Sequence, residues 1–227
     1  MTDLSIDPAE FESPDGHQAA GCCSGYALPP LVVLVIAAAA IAVAARNPTS
    51  LPNPMISTSL SSQLSMLFTP EVQYWGSAIA DWAADAGLDP NLAASVMQIE
   101  SCGDPRAFSR AGALGLFQVM PYHFAAVEEP YSPSTNAARG LAYLARALAA
   151  ADGDARLALA GYNGGIGVIG TPESSWAAET VRYAYWGSGI YADSRSGSAV
   201  SATLEEWLAA GGASLCRRAR QRLQIPE

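Results

Sequence analysis

The stretch IESCGDPRAFSRAGALGLFQVMP, residues 99–121, puts a carboxylate, Glu100, at the end of a helical pattern and follows it with a loop of Gly, Pro and Ser. Before it, the apolar residues Leu92, Val96 and Ile99 recur at the spacing of one helix face. The side chain of Glu100 is therefore expected to lie beside apolar neighbours, which favour the protonated form of a carboxyl and raise its pKa. A general acid that works near neutral pH needs such a shift.

A second interpretation of Glu100 is purely structural. The carboxylate could cap the helix end, or it could form an ion pair with Arg106 or Arg110 in the following loop. Carboxylates are common at helix ends, so this stretch alone does not decide between a catalytic acid and a structural one. The other motifs of the chain are needed to separate the two.

Helix start signals recur from Thr69 onward. Thr69 followed by Pro70, and Asp89 followed by Pro90, each place an N-cap residue before a proline at the first helical position. The first pair opens an amphipathic pattern that continues through residue 83, and the second opens the helix that ends at Glu100. Further helices are predicted over residues 136–150, 155–162, 174–186, 203–210 and 214–223. No convincing alternating strand pattern appears, so we predict an all-α domain of six to eight short helices.

The 227-residue chain has a formal net charge of −9 and contains no lysine, and its pI is about 4.6. An acidic surface repels phosphate backbones, so nucleic acid is excluded as a partner. The basic residues that do cluster are four arginines at the end of the last predicted helix, where they complement the helix dipole and are expected to be solvated. They are Arg217, Arg218, Arg220 and Arg222.

Residues 26–45 are uncharged and mostly apolar, and their number is close to the roughly 20 residues that a helix needs to cross a bilayer. The preceding residues 1–25 are acidic and contain no Lys or Arg, whereas a cleaved signal peptide requires a basic start. Residues 46–67 are rich in Pro, Ser, Thr and Asn, a linker composition. We therefore predict an acidic tail, a single uncleaved transmembrane helix and a flexible linker before the helical domain, which spans residues 68–227.

Four cysteines are present, and none of them lies in a CxxC motif or a Cys/His cluster, so no metal site is predicted. Cys22 and Cys23 lie just before the apolar segment and are either juxtamembrane thiols or an acylation site. Cys102 and Cys216 are the remaining pair. If the domain lies outside the cytoplasm, a disulfide between them is the simplest arrangement, and it would tie the last helix to the loop beside Glu100.

Three other motifs carry polar side chains, and the first two also contain glycine. GALGLFQVMP carries the amide of Gln118 among apolar residues, and AGYNGG carries Tyr162 and Asn163 before a glycine turn. ETVRYAY places Glu179 and Tyr183 on one helix face. Amides, hydroxyls and aromatic rings together suit a sugar. Each motif alone is weak, because a Tyr on a helix is more often a core residue and a YNGG sequence is often only a turn.

In chain order, the motifs IES, GALGLFQVMP, NAARGLAYL, GYNGG and ETVRYAY resemble the catalytic domain of the soluble-lytic-transglycosylase-like family, the goose-lysozyme-related family 23 glycoside hydrolases. The resemblance covers residues 68 to about 223. It implies a lysozyme-like helical fold and cleavage of the β-1,4 bond between N-acetylmuramic acid and N-acetylglucosamine in peptidoglycan. It places the catalytic acid at Glu100, and Cys102 departs from the small residue that is usual at its position. It implies sugar-contacting or cleft-shaping roles for Ser109, Gln118, Met120, Tyr162, Asn163, Glu179 and Tyr183.

The resemblance also implies a reaction with one catalytic carboxylate and with no metal or organic cofactor. Glu100 would protonate the leaving oxygen while the muramic N-acetyl group assists, and would then take the proton of the C6 hydroxyl to give a 1,6-anhydromuramyl end. Asp104, the other acid near it in the sequence, precedes Pro105 and is interpreted as a turn residue. Two alternatives stay open: a goose-type lysozyme that adds water, and an inactive peptidoglycan-binding module.

Because peptidoglycan lies outside the cytoplasm, the expected location is the cell membrane, with residues 46–227 facing the wall and the acidic tail inside. Arg46 weakly favours the opposite orientation under the positive-inside rule. The expected partners are peptidoglycan glycan strands and, through residues 26–45, the membrane. A role in opening the wall for a secretion or conjugation machine is neither supported nor excluded by the sequence.

Overall fold

The computed structural model describes residues 64–226. The predicted acidic tail, the predicted transmembrane segment 26–45 and most of the predicted linker lie outside this range. Within it, no helix combines the length and the apolar character that a bilayer crossing requires.

Residues 64–226 fold into eight α-helices, and this part of the chain contains isolated bridges but no strand. The helices are α1 (Pro70–Gln73), α2 (Gly76–Ala86), α3 (Pro90–Glu100), α4 (Pro133–Ala150), α5 (Ala155–Gly164), α6 (Ala178–Arg195), α7 (Ala202–Trp207) and α8 (Ala213–Leu223). Short 3₁₀ turns occupy Pro121–His123, Ile166–Gly170 and Glu173–Ser175, and a π turn, Leu208–Gly212, joins α7 to α8. The all-α prediction is therefore confirmed for residues 64–226.

Helix α3 lies at the centre of the domain. Its residues 90–98 are all buried, and helices α2 and α6 pack against it. It begins where the sequence predicts because the carboxylate of Asp89 accepts the backbone N–H of Asn91 at 2.8 Å, which caps the helix. Only its last two residues, Ile99 and Glu100, are partly exposed.

Two predicted helices depart most from the structure, whereas the ends of the others differ by at most three residues. The single helix predicted from Pro70 through residue 83 is divided into α1 and α2 by a turn at Tyr74 and Trp75. At this turn the indole N–H of Trp75 donates to the carbonyl oxygen of Gly103 at 2.9 Å, a tertiary contact that a continuous helix pattern does not foresee. Helix α6 starts later than the predicted residue 174 and continues past the predicted end at residue 186 to Arg195.

Two glycines explain why the end of α6 was placed too early, since glycine normally disfavours a helix. Gly187 and Gly189 are contact points between helices. A Cβ on Gly187 would lie 3.0 Å from Leu159 of α5, and one on Gly189 would lie 2.6 Å from Thr203 of α7. Close packing of neighbouring helices therefore overrides the weak helix propensity of these two residues.

A disulfide links the C-terminal helix α8 to the loop that follows α3. Cys102 and Cys216 are bonded, with their Cα atoms 5.0 Å apart, and this is the pairing expected from the sequence. The side-chain amide of Gln98 lies against the bridge, with its nitrogen 3.1 Å from the Cys102 sulfur. A cross-link between residues 114 positions apart stabilises a fold by about 4–5 kcal/mol in the chain-entropy account.

A buried ion pair lies beside this disulfide. The guanidinium of Arg220 on α8 donates to the carboxylate of Glu71 on α1 at 2.6 Å, and the Glu71 side chain is only 3% exposed. The prediction that all four C-terminal arginines are solvated is therefore wrong for Arg220, whose partner is 149 residues away in the sequence. Arg222 on the same helix lies 3.6 Å from Asp104, and its side chain is 55% exposed.

We expect Arg220→Met to lower the free energy of unfolding by about 3 kcal/mol, because the change leaves the buried Glu71 carboxylate without its partner. Arg222→Met is the matched control on the same helix, and the exposure of the Arg222 side chain, together with its 3.6 Å distance from Asp104, predicts a loss of less than about 1 kcal/mol. Chemical denaturation of the purified protein measures both losses. Equal losses in the two variants would contradict a structural role for the Glu71 pair.

Candidate active site

A cleft of about 1010 Å³ opens on the surface of the domain at the end of α3. Its walls come from the loop after α3, the turn Pro121–His123, the middle of α4, the end of α5 and the start of α6. The structure brings together in this cleft most of the residues that the sequence marks as site residues. They are Glu100, Ser109, Gln118, Met120, Tyr162, Asn163 and Glu179.

Tyr183, the remaining predicted residue, lies behind the cleft and binds Glu100. Its hydroxyl donates to Glu100 Oε1 at 2.8 Å. Removal from water raises the pKa of Glu100 to about 8, the hydrogen bond from Tyr183 opposes this shift, and the negative charge of Glu179 adds to it. Glu100 is therefore protonated at neutral pH, in agreement with its expected position beside apolar residues.

The structural interpretation of Glu100 as an ion-pair partner is wrong. Within residues 64–226, no ion pair involves Glu100, Arg106 or Arg110. The nearby acid Asp104 does act as a turn residue, since its carboxylate accepts the backbone N–H of Arg106 at 2.9 Å. The two acids of this segment thus have different environments, and only Glu100 opens on the cleft.

The loop after α3 is held in shape by Asn136, a buried residue of α4. Its side-chain amide donates to the carbonyl of Leu114 at 2.8 Å, and its side-chain oxygen accepts the backbone N–H of Phe117 at 2.8 Å. Gly115 has a φ of 74°, and a Cβ there would lie 2.5 Å from the amide nitrogen of Asn136, so only glycine fits. The motif NAARGLAYL therefore positions the loop that carries Gln118.

The polar groups of this loop are fixed by contacts within the loop itself. Gln118 has a left-handed backbone, with φ 45°, and its side-chain amide donates to the carbonyl of Gly115 at 2.9 Å. The hydroxyl of Ser109 accepts the backbone N–H of Ala113 at 3.0 Å. A non-glycine residue with positive φ is strained and persists only where its surroundings hold it, as they do here. This wall of the cleft is thus preorganised by the loop's own hydrogen bonds.

The opposite wall is held by α5 and α6. The hydroxyl of Tyr162 donates to the carbonyl of Phe117 at 2.7 Å, so its proton is not available to a ligand. The side-chain oxygen of Asn163 accepts the hydroxyl of Thr180 at 2.8 Å. Tyr162 therefore presents its ring rather than a hydroxyl proton, and its contact with Phe117 joins the two walls.

Glu179, in the first turn of α6, is a second carboxylate of the cleft. Its charge acts on Glu100, because it contributes to the raised pKa of that group. The sequence alone identifies one evident catalytic carboxylate near residue 100. The fold brings a second acid into the same cleft, and this matters for the reaction considered below.

Three aromatic residues of the cleft were missed by the sequence analysis: Tyr122, His123 and Tyr143. Tyr143 follows Gly140, which also lines the cleft, by three positions on α4, so helical spacing could have found it. Tyr122 and His123 belong to a 3₁₀ turn, and no local pattern marks them. Their position depends on the path of the preceding loop.

One cluster of potential metal ligands occurs within the described residues, outside the cleft: Glu71 with Cys102 and Cys216. Its two sulfur atoms are joined in the disulfide, whereas metal ions bind thiolates. The cluster in this state does not fit a metal ion.

Comparison with known proteins identifies the class of this domain. Residues 77–182 match the family described as the transglycosylase SLT domain. This segment is therefore a domain of the transglycosylase SLT type, and the resemblance drawn from the sequence motifs is confirmed.

Two relatives cover part of the chain. A protein described as a transglycosylase from Enterobacteria phage PRD1 is 39% identical over 111 residues, which are 48% of this chain and 40% of the phage protein. The X-ray structure of an inactive mutant of the lytic transglycosylase Slt from Pseudomonas aeruginosa matches 66% of this chain and 24% of that protein, with 21% identity and a TM-score of 0.39. Each match spans less than half the length of the relative.

We expect Glu100→Gln to stabilise the domain at alkaline pH. Glu100 titrates near pH 8 in the folded protein and near 4.5 without its surroundings, so the folded state holds more protons between these values and stability falls as the pH rises through them. Glutamine carries no charge and keeps the acceptor for the Tyr183 hydroxyl. The melting temperature of the variant should match that of the wild type below pH 4.5 and exceed it by several degrees above pH 8.

The matched control for this measurement is Glu205→Gln, which removes an exposed carboxylate from α7. Subtracting its effect corrects for the change of one unit in net charge. A difference between Glu100→Gln and the wild type that stays constant with pH would contradict the raised pKa of Glu100.

Proposed function

We propose that this protein is a peptidoglycan lytic transglycosylase, which cleaves the β-1,4 bond between N-acetylmuramic acid and N-acetylglucosamine and leaves a 1,6-anhydromuramyl end. One observation carries the proposal: the carboxyl of Glu100, whose pKa is raised by burial, opens on a cleft lined by amides, hydroxyls and aromatic rings. The match of residues 77–182 to the transglycosylase SLT domain supports the same class of reaction.

The reaction needs a group that first gives a proton and then takes one back. Protonated Glu100 delivers its proton to the glycosidic oxygen, and the bond from C1 to that oxygen breaks as the carbonyl oxygen of the muramic N-acetyl group bonds to C1. The Glu100 carboxylate then removes the proton of the C6 hydroxyl, whose oxygen displaces the N-acetyl oxygen from C1. No water is consumed, and Glu100 ends the cycle protonated.

The hydrogen bond from Tyr183 supports the second half of this cycle. Hydrogen bonds to a carboxylate are stronger than those to a neutral carboxylic acid, so Tyr183 stabilises Glu100 once its proton has left. Burial favours the protonated state that the first half requires. These opposing effects, together with the charge of Glu179, set the pKa of Glu100 at about 8, close to the pH at which one group serves as both acid and base.

A second candidate function is hydrolysis of the same bond, and the position of Glu179 favours it. Two carboxylates in one cleft are the arrangement of hydrolases that activate a water molecule with the second acid. In that reaction Glu179 would take a proton from water. In the lytic reaction it would hold the sugar without exchanging a proton.

We expect Glu100→Gln to reduce turnover of purified peptidoglycan by about 10²- to 10⁴-fold, because it keeps the shape of the side chain and removes the transferable proton. Release of soluble muropeptides measures the rate, and the melting curve shows that the variant is folded. If this variant kept the turnover of the wild type, Glu100 would not be the catalytic acid.

Mass spectrometry of the same products separates the two candidate reactions, because an anhydro end is lighter than a hydrolysed end by one water. Glu179→Gln serves as the matched comparison. Lytic cleavage predicts anhydro products and a loss mainly in KM for this variant, whereas hydrolysis predicts a loss of kcat similar to that of Glu100→Gln. Products that carry the extra water would replace the lytic reaction with hydrolysis.

We also propose that residues 26–45 anchor the protein in the cell membrane and that the domain acts outside the cytoplasm. The uncharged length of this segment and the linker composition of residues 46–67 support an anchor. The disulfide between Cys102 and Cys216 supports an oxidising compartment. Peptidoglycan, the proposed substrate, lies on the same side.

For this topology we expect protease added to intact spheroplasts to digest the domain while sparing the acidic tail 1–25. Immunoblotting with one antibody against the domain and one against the tail detects what the protease has digested. A cytoplasmic protein serves as the control for membrane integrity. Protection of the domain until detergent breaks the membrane would show that it lies inside.

A further inference from the structure

Five aromatic rings form a continuous row along the cleft. The row begins at Tyr183, whose hydroxyl binds Glu100. Successive ring centroids lie 6.4, 5.7, 5.1 and 4.5 Å apart in the order Tyr183, Tyr162, Tyr143, His123 and Tyr122. All of them except Tyr183 line the cleft.

The inner and outer parts of this row differ in exposure. Tyr183 is buried, and the hydroxyl of Tyr162 is engaged by Phe117. At the outer end, Tyr122 is 75% exposed, with His123 and Tyr143 partly exposed beside it. A large aromatic ring in water at the wall of a cleft offers apolar area that a ligand can cover.

Two of the outer rings, Tyr143 and His123, lie near Arg146. The guanidinium carbon of Arg146 lies 5.2 Å from the centroid of Tyr143. Burial, together with the positive charge of Arg146, lowers the pKa of His123 below its usual value of 6.5. A neutral imidazole presents an apolar face instead of a hydrated cation, as contact with an uncharged sugar requires.

We propose that Tyr122, His123 and Tyr143 form an outer sugar-binding surface, which holds glycan units beyond those at the scissile bond and makes the protein prefer long strands to short oligosaccharides. This inference rests on the proposed function, because it assumes that the substrate is a glycan strand bound in the cleft with its scissile bond at Glu100.

The chemistry of the strand fits a row of rings. A pyranose ring has an apolar face of C–H groups that packs on an aromatic face, and a polymer of repeating sugars can contact several rings in succession. The hydrogen-bond partner of Glu100 is Tyr183, at the inner end of the row, so we assign the outer rings a role in strand affinity and not in proton transfer. Contacts with remote units increase kcat/KM for substrates long enough to reach them.

The test compares soluble glycan strands of many units, freed of peptide stems, with a tetrasaccharide of the same sugars. We expect Tyr122→Ala to lower kcat/KM for the long strands by about three- to tenfold and to leave the tetrasaccharide unaffected. Tyr122→Phe, which keeps the ring, should restore most of the loss. Tyr74→Ala is the matched control, since Tyr74 is also an exposed tyrosine in contact with a neighbouring aromatic ring but lies outside the cleft.

A binding measurement keeps this inference separate from the proposed function. Calorimetry with Glu100→Gln and with the double variant Glu100→Gln/Tyr122→Ala gives the affinity for the same two glycans without turnover. A three- to tenfold weaker affinity of the double variant for long strands alone supports the outer surface. Equal affinities, or equal losses for long and short glycans, would overturn it. Absence of turnover in the wild type would instead overturn the proposed function while the affinities still decide the outer surface.

Discussion

The hydrogen bond from Tyr183 to Glu100 joins two groups that are both largely removed from water. It spans 83 residues of sequence, so it exists only where α6 crosses the end of α3 at short range. Gly187, one turn after Tyr183, lets α6 pack closely on α5, because a Cβ there would lie 3.0 Å from Leu159. Helix α3 in turn reaches the cleft only with its last turn, since residues 90–98 fill the core. The unusual protonation of Glu100 therefore depends on how three helices pack.

The walls of the cleft depend on the same packing through a second set of contacts. Asn136 holds the loop that carries Gln118, and Tyr162 binds the Phe117 carbonyl of that loop from the opposite side. These bonds connect the loop to α4 and α5, so its polar groups are placed before any ligand arrives. Preorganised groups need no rearrangement during a reaction, which is a main source of catalytic power in enzymes. The price is the strained left-handed backbone at Gln118.

Local patterns in the sequence were sufficient where short-range physics decides the outcome. The start of α3 follows from the cap at Asp89, and the raised pKa of Glu100 follows from its position after an apolar helix face. Contacts between residues far apart in the sequence could not be predicted from these local patterns. The pair of Arg220 with Glu71 joins residues 149 positions apart, and the break between α1 and α2 accompanies a contact of Trp75 with a distant loop. The aromatic rings of the 3₁₀ turn Pro121–His123 enter the cleft because of the path of a loop, which no periodicity records.

The disulfide between Cys102 and Cys216 makes the cleft part of a closed ring of covalent bonds. All cleft-lining residues except Glu100 lie between the two cysteines, and Glu100 precedes Cys102 by two positions. A single cut by a protease anywhere in this ring, for example in the loop between the turn Pro121–His123 and α4, produces two chains that stay linked. The helix that carries Glu100 then remains attached to α8 and, through the rest of the ring, to α6. The domain thus has the tolerance to nicking of a circular chain.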